Sequence, residues 1–193
     1  MPQPPRILAF AGSARAASYN KKLLAIAVMG ARSAGAEVTQ IDLRDYPMPI
    51  MDEDLEAASG PPEHALRLKD LFDAHNGLLI ACAEYNSSIT PLLKNAIDWV
   101  SRPDVHRASV ACFGGKVAAI LSASPGGLGG LRGLVHVRAI LGNIGVLVIP
   151  DQVAVPRAFE VFCDDGSLKD PKQQAAVEGV GAALARVATS LHP

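Results

Sequence analysis

Most of the features that assign a chain quickly are missing here. The 193 residues carry a formal net charge of −1 and no long run of like charge, so the electrostatic footprint of a nucleic-acid or anionic-membrane binder is absent. No apolar run approaches the roughly 20 residues that a membrane-spanning helix needs. The opening Met-Pro-Gln-Pro-Pro-Arg lacks the charged-then-apolar order of a signal peptide. There are three cysteines, Cys82, Cys112 and Cys163. They form no CxxC, and their odd count argues for a reducing compartment over a disulfide framework. These absences predict a cytoplasmic protein with neither a nucleic-acid nor a membrane partner.

The common catalytic signatures fail as well. Five histidines are scattered without metal-ligand spacing, so no metal site is expected. A dinucleotide fingerprint wants G-x-G-x-x-G after the first strand, and only Gly12 is there. A P-loop wants Gly-Lys followed by Ser or Thr, but Gly115-Lys116 runs into Val117. Ser124 is no hydrolase nucleophile, since a G-x-S-x-G elbow needs glycine at 122 and finds Ser122. Asp164-Asp165-Gly166 is too little of an EF-hand and reads as a turn.

What remains is an ordinary globular composition, 49% apolar and 19% charged, of a length that suits one domain over 1–193. Apolar runs at Arg6 to Ala11, Glu37 to Leu43, Gly77 to Ala83, Val117 to Ala123 and Gly145 to Ile149 read as five strands. Helical patterns follow each: to about Ser33, from Pro61-Pro62 to about Ala74, from Thr90-Pro91 onward, over Leu131 to Asn143, and from Asp170-Pro171 to about Ser190. Residues 44–60, 102–115 and 151–169 read as irregular connections. Right-handed crossovers place helices on both faces. The expectation is an α/β three-layer sandwich with a five-stranded parallel sheet in the flavodoxin-like order 2-1-3-4-5, a six-stranded Rossmann sheet being the alternative.

Three polar or glycine-rich loops follow strands 1, 3 and 4, where open α/β sheets bind ligands. Loop one, 12–20, opens a helix whose free N–H groups attract anions. Ser13, Ser18 and Asn20 add hydroxyl and amide donors, and Arg15 adds a planar cation for a phosphate monoester. Loop two, 83–90, holds Tyr85, which can lie against an aromatic ring. Its backbone, Asn86, Ser87 and Ser88 can meet polar ring edges, and Glu84 reads as a loop brace ahead of a general base. Loop three, Ser122 to Gly130, has four glycines in five residues that admit a flat ligand.

Three stretches stand in order along the chain: Gly12-Ser13-Ala14-Arg15 with Ser18-Tyr19-Asn20, then Glu84-Tyr85-Asn86-Ser87-Ser88-Ile89 running into Leu93-Lys94-Asn95-Ala96-Ile97-Asp98-Trp99, then Ser122-Ala123-Ser124-Pro125-Gly126-Gly127 with Gly129-Gly130. The chain resembles the NAD(P)H-dependent FMN reductases of flavodoxin-like fold, which include bacterial chromate, quinone and azo-dye reductases. The resemblance covers residues 6–150 and the tail loosely. It implies that Ser13, Arg15, Ser18, Tyr19 and Asn20 hold the FMN phosphate end. It implies that Ala83, Glu84, Tyr85, Asn86 and Ser87 meet the isoalloxazine, and that Ser122, Ser124 and Gly126 line another side. Ala83 stands where the family usually has proline. The implied activity passes hydride from NADPH or NADH through FMN to a small electron acceptor, with no side chain needed as acid or base. An electron carrier like flavodoxin and a non-enzymatic flavin-binding protein are the alternatives. Arg102 and Arg107 are candidates for a nicotinamide 2′-phosphate. The resemblance also implies a homodimer or homotetramer through the helix at 91–101, whose Leu92, Leu93, Ala96, Ile97, Trp99 and Val100 exceed what one sheet face needs.

Overall fold

Gly77–Ala81 and Val117–Ala123 are buried along their whole length, as the central strands of a parallel sheet covered on both faces must be. The computed structural model, which describes residues 3–192, builds a five-stranded sheet around them. Its strands are β1 (Arg6–Ala11), β2 (Glu37–Gln40), β3 (Gly77–Ala81), β6 (Val117–Ala123) and β7 (Leu147–Val155). They lie in the order β2-β1-β3-β6-β7, all parallel. Counted by sheet strands, this is the expected 2-1-3-4-5. The order reverses between β1 and β3, and the crevice of such a sheet opens there.

One face is covered by α1 (Tyr19–Ser33) and α7 (Pro171–Leu191). The other is covered by α3 (Glu63–Asp73), α4 (Pro91–Ser101) and α5 (Leu131–Asn143). On the first face the two helices touch backbone to backbone. A Cβ on Gly30 would lie 1.9 Å from the Glu178 carbonyl oxygen, and one on Gly181 would lie 1.9 Å from that of Ala27.

Several elements depart from the sequence reading. β2 ends at Gln40, not Leu43, because Asp42 turns the chain: its carboxylate accepts the Arg44 N–H and caps a short 3-10 turn, Leu43–Asp45. Residues 44–60 are not wholly irregular, since Asp52 caps the helix α2 (Glu53–Ser59), which has no buried residue. β3 stops at Ala81, and loop two carries a hairpin of β4 (Glu84–Tyr85) and β5 (Ser88–Ile89). β7 starts and ends later than the expected Gly145 to Ile149. Its pairing with β6 slips between Ala118 and Ile120, opposite Pro150, so the bulge accommodates the missing N–H and the strand continues to Val155. A short helix, α6 (Ala158–Val161), follows.

Of the apolar α4 residues, all but the half-buried Leu92 pack inside the chain. Leu93, Ala96, Ile97, Trp99 and Val100 are all buried, and the Trp99 Nε1–H donates to the Pro49 carbonyl oxygen at 2.8 Å. Asn95, one turn earlier, donates to the same oxygen and accepts the Met51 N–H. Segment 49–51 therefore covers the face of α4 turned away from the sheet. Among the described residues no helix is long and apolar enough to cross a membrane.

Candidate cofactor site at the strand ends

The three loops meet at one cleft, lined by Ser13, Arg15, Ser18, Tyr19, Asn20, Ala83, Glu84, Tyr85, Ala123, Ser124 and Pro125. Its enclosed part, about 70 Å3, is about the share of two water molecules and suits a phosphate-sized group. A larger hollow of about 500 Å3 is walled by the middle of α1 and the turn at 164–167, away from the strand ends.

The first turn of α1 is built for an anion. Ser18 is its N-cap residue, yet the Ser18 hydroxyl makes no capping bond. The first turn carries no acidic side chain, so the positive end of the helix dipole faces the cleft uncompensated. Arg15 is exposed, and its guanidinium makes no ion pair or hydrogen bond among the described residues. Ser13 is buried, with its Oγ 3.4 Å from the Arg15 N–H. Tyr19 lines the cleft with its ring stacked on Phe162, centroids 5.9 Å apart.

Asn20 lines the cleft and also joins two of its loops. Its Nδ2 donates to the Ala123 carbonyl oxygen at 2.9 Å, and its Oδ1 accepts the Ala123 N–H at 3.0 Å. Both bonds tie loop one to loop three, and the amide oxygen does not face a ligand. Thr90 ties loop one to loop two: its hydroxyl donates to the Gly12 carbonyl oxygen at 2.7 Å while accepting the Leu93 N–H as the cap of α4. Ser122 ties loop two to loop three. It is fully buried and donates to the Cys82 carbonyl oxygen at 2.6 Å, so it supports the cleft from beneath and does not line it. The three loops are thus fastened pairwise before any ligand arrives, which reduces the ordering cost of binding.

The hairpin of loop two carries the half-exposed Tyr85 at its edge. Its turn residues Asn86 and Ser87 both have positive φ, 50° and 64°, the backbone of a two-residue type I′ connection. Neither is among the residues that line the cleft, though both closely follow Tyr85, which is. The Glu84 carboxylate accepts the Gly133 N–H of α5 at 2.7 Å, bearing out the brace reading. In loop three, the Gly126 N–H donates to Ser124 Oγ, and Ser124 and Gly126 carbonyls accept N–H groups of Ala158 and Arg157. Gly126 stands outside the lining. Ala123 and Pro125 also line the cleft; neither has a side-chain donor or acceptor that would mark it in the sequence.

The remaining candidates fall away. Arg102 pairs with Glu53 and Glu56, and Arg107 pairs with Asp70, Asp73 and Asp104. Both guanidinium groups are saturated, so neither is free for a 2′-phosphate. Cys82, next to the cleft, is wholly buried, and burial pushes its thiol far above the ordinary range, so it is an inert hydrophobe and not a redox thiol. Among the described residues no group of three His, Cys, Asp or Glu side chains can hold a metal ion.

Known proteins resemble this chain along most of its length. The chain is 34% identical over 174 residues to an NAD(P)H-dependent FMN reductase of Pseudomonas aeruginosa, covering 90% of this chain and 89% of that one. It is 33% identical over 191 residues to an NAD(P)H:quinone oxidoreductase of Solanum tuberosum, covering 96% and 94%. Among solved structures, the flavoenzyme NAD(P)H:(acceptor) oxidoreductase FerB of Paracoccus denitrificans superposes with a TM-score of 0.81 at 28% identity, covering 97% of this chain and 98% of that one. The family profile described as NADPH-dependent FMN reductase matches residues 5–160, which takes in all three loops and the sheet that positions them. That match spans well over half of the chain, and with relatives more than 30% identical over most of their length this chain belongs to the NADPH-dependent FMN reductase family.

Proposed function

We propose that the cleft holds FMN with its phosphate at the start of α1 and its ring beside the 84–89 hairpin, and that the protein oxidises NAD(P)H there to reduce a small electrophile. The acceptor class is a quinone, an azo compound, chromate or free flavin. The observation that carries this reading is the uncapped first turn of α1, with the Ser18 hydroxyl and the Arg15 guanidinium both without protein partners. When bound, FMN supplies the chemistry, accepting hydride from the nicotinamide and releasing two electrons to the acceptor.

The chain's own residues do the rest. Arg15, Ser18 and the free N–H groups of α1 bind the phosphate dianion. Tyr85 offers ring area at the mouth of the cleft, and the backbone of Asn86 and Ser87 offers donors beside it. The pairwise fastening through Asn20, Thr90 and Ser122 holds these groups in place. The near-neutral net charge favours an enzyme with small diffusing substrates over a carrier that steers to protein partners by a charged face. Three cysteines without a disulfide support a reducing, cytoplasmic setting.

The test is optical. Protein reconstituted with FMN should hold it through gel filtration and show flavin absorbance, which NADPH or NADH should bleach anaerobically and a quinone restore. A cleft that retains no FMN at micromolar concentration overturns the reading.

A further inference from the structure

Helix α5 lacks a cap of its own. Its N-cap residue is Gly130, which has no side chain and a φ of +88°. No side chain can be put there, because a Cβ would lie 1.9 Å from Ser122 Oγ. The helix instead takes its cap from a distant segment. Gly133, in its first turn, donates its N–H to the Glu84 carboxylate 49 residues earlier in the chain, at 2.7 Å. Carboxylates at this place stabilise a helix by accepting an orphan N–H and by meeting the positive end of its dipole.

Two more α5 side chains reach the same hairpin. His136 Nδ1 lies 2.9 Å from Ser88 Oγ, and Arg132 donates to Ser87 Oγ at 3.2 Å. The fit around Glu84 is tight, since a Cβ on Gly133 would lie 3.4 Å from Glu84 Cγ and 3.4 Å from the Ser88 carbonyl oxygen. The hairpin needs an external hold. It has two residues per strand, and a two-stranded ribbon of that size is not stable alone. Its turn places two residues other than glycine at positive φ, a conformation that costs free energy and persists only when the surroundings fix it.

We propose that Glu84 is a positioning residue for the flavin site and acts through α5, with His136 as its second anchor. It caps the helix, the helix holds the hairpin, and the hairpin sets where Tyr85 and the 86–87 backbone stand. The inference rests on the FMN reading for its functional consequence, but not for the brace itself.

The experiment compares Glu84→Ala, Glu84→Gln and His136→Ala with the parent protein. Amide hydrogen exchange of the apoprotein reads the brace. FMN fluorescence quenching and the visible circular dichroism of bound FMN read its effect on the flavin. Glu84→Ala should speed exchange in the hairpin and in the first turn of α5 while exchange in β3 and β6 stays slow, and should weaken FMN binding about tenfold or more, the scale of one lost hydrogen bond to a charged group. Glu84→Gln keeps an oxygen that accepts from Gly133 and should bind FMN within about threefold of the parent. His136→Ala should speed hairpin exchange and change the flavin dichroism. Combined with Glu84→Ala it should add less than its own effect, because both act on one body. Hairpin exchange that stays as slow in Glu84→Ala as in the parent overturns the proposal, and so does a Glu84→Gln protein as impaired as Glu84→Ala. If the parent itself fails to bind FMN while the exchange pattern holds, the cofactor reading falls and the brace stands.

Discussion

Asn20 and Ala123 face each other through a reciprocal pair of hydrogen bonds, side-chain amide to peptide group, with neither residue more than 4% exposed. Removing the amide strands a buried N–H and a buried carbonyl oxygen at the end of β6. Asn20→Ala should therefore lose about 2–6 kcal/mol of stability, the sum expected for two unsatisfied groups, in chemical denaturation. It should also weaken FMN binding, because loop one loses its tie to loop three. A variant with an unchanged unfolding midpoint would refute the fastening role.

Arg15 gives the opposite pattern. Its side chain is exposed and makes no ion pair or hydrogen bond among the described residues, so Arg15→Ala should leave the unfolding free energy within about 0.5 kcal/mol of the parent. FMN affinity should fall by about 1–3 kcal/mol, the range for a charge-assisted hydrogen bond. Isothermal titration with FMN decides, and unchanged affinity would remove Arg15 from the phosphate site.

Two glycines of α7 should respond with opposite signs. Gly179 has open space around the Cβ position, whereas Gly181 would drive a Cβ into the Ala27 carbonyl oxygen. Gly179→Ala should raise stability by about 0.5–1 kcal/mol through helix propensity alone. Gly181→Ala forces α1 and α7 apart and should cost about 2 kcal/mol or more, some 4–8 °C in Tm for a chain of this size. Thermal melts of the two proteins test the pair; a shared sign would contradict the close helix crossing.

Acid sensitivity should centre on Asp104. Burial alone would raise its carboxyl, but the His106 N–H, Arg107 and Lys69 outweigh burial and hold it well below the usual carboxylate range. A folded-state pKa below the unfolded one adds stability that is fully present above the unfolded value, near 4, and is lost as pH falls below it. Asp104→Asn should remove this acid-dependent component. It should also cost about 3 kcal/mol at neutral pH, because Lys69, whose side chain is fully buried, keeps only the Arg102 carbonyl oxygen as partner. Urea unfolding at pH 7, pH 4 and about pH 2 measures both effects, the acid-dependent loss falling between the last two.

The frame of this fold was legible where burial is two-sided. β1, β6 and α5 have the bounds their apolar patterns predict, because a central strand reads as one unbroken apolar run. Legibility failed where local chemistry overrode pattern. β7 runs through Pro150 on a bulge, and α2 is an acidic helix with no apolar face to announce it. The cleft was legible as a set of loops, and Ser13, Arg15, Ser18, Tyr19, Asn20, Ala83, Glu84, Tyr85 and Ser124 do meet there. The division of labour among the loop residues was not. Asn20, Ser122 and Glu84 are polar groups in loops, and sequence shows that a polar group exists without showing which atom it will meet. Their partners, Ala123, Cys82 and Gly133, are all main-chain groups, which leave no trace in residue identity.

The chain's single tryptophan, Trp99, is sealed under segment 49–51 with its indole N–H held by Pro49. That makes it a built-in lamp for the fold. Its native emission should be blue and should redden only when the 49–51 strap lifts or the chain unfolds. A fluorescence trace can then follow global denaturation and yellow pigment loss on separate channels in one cuvette.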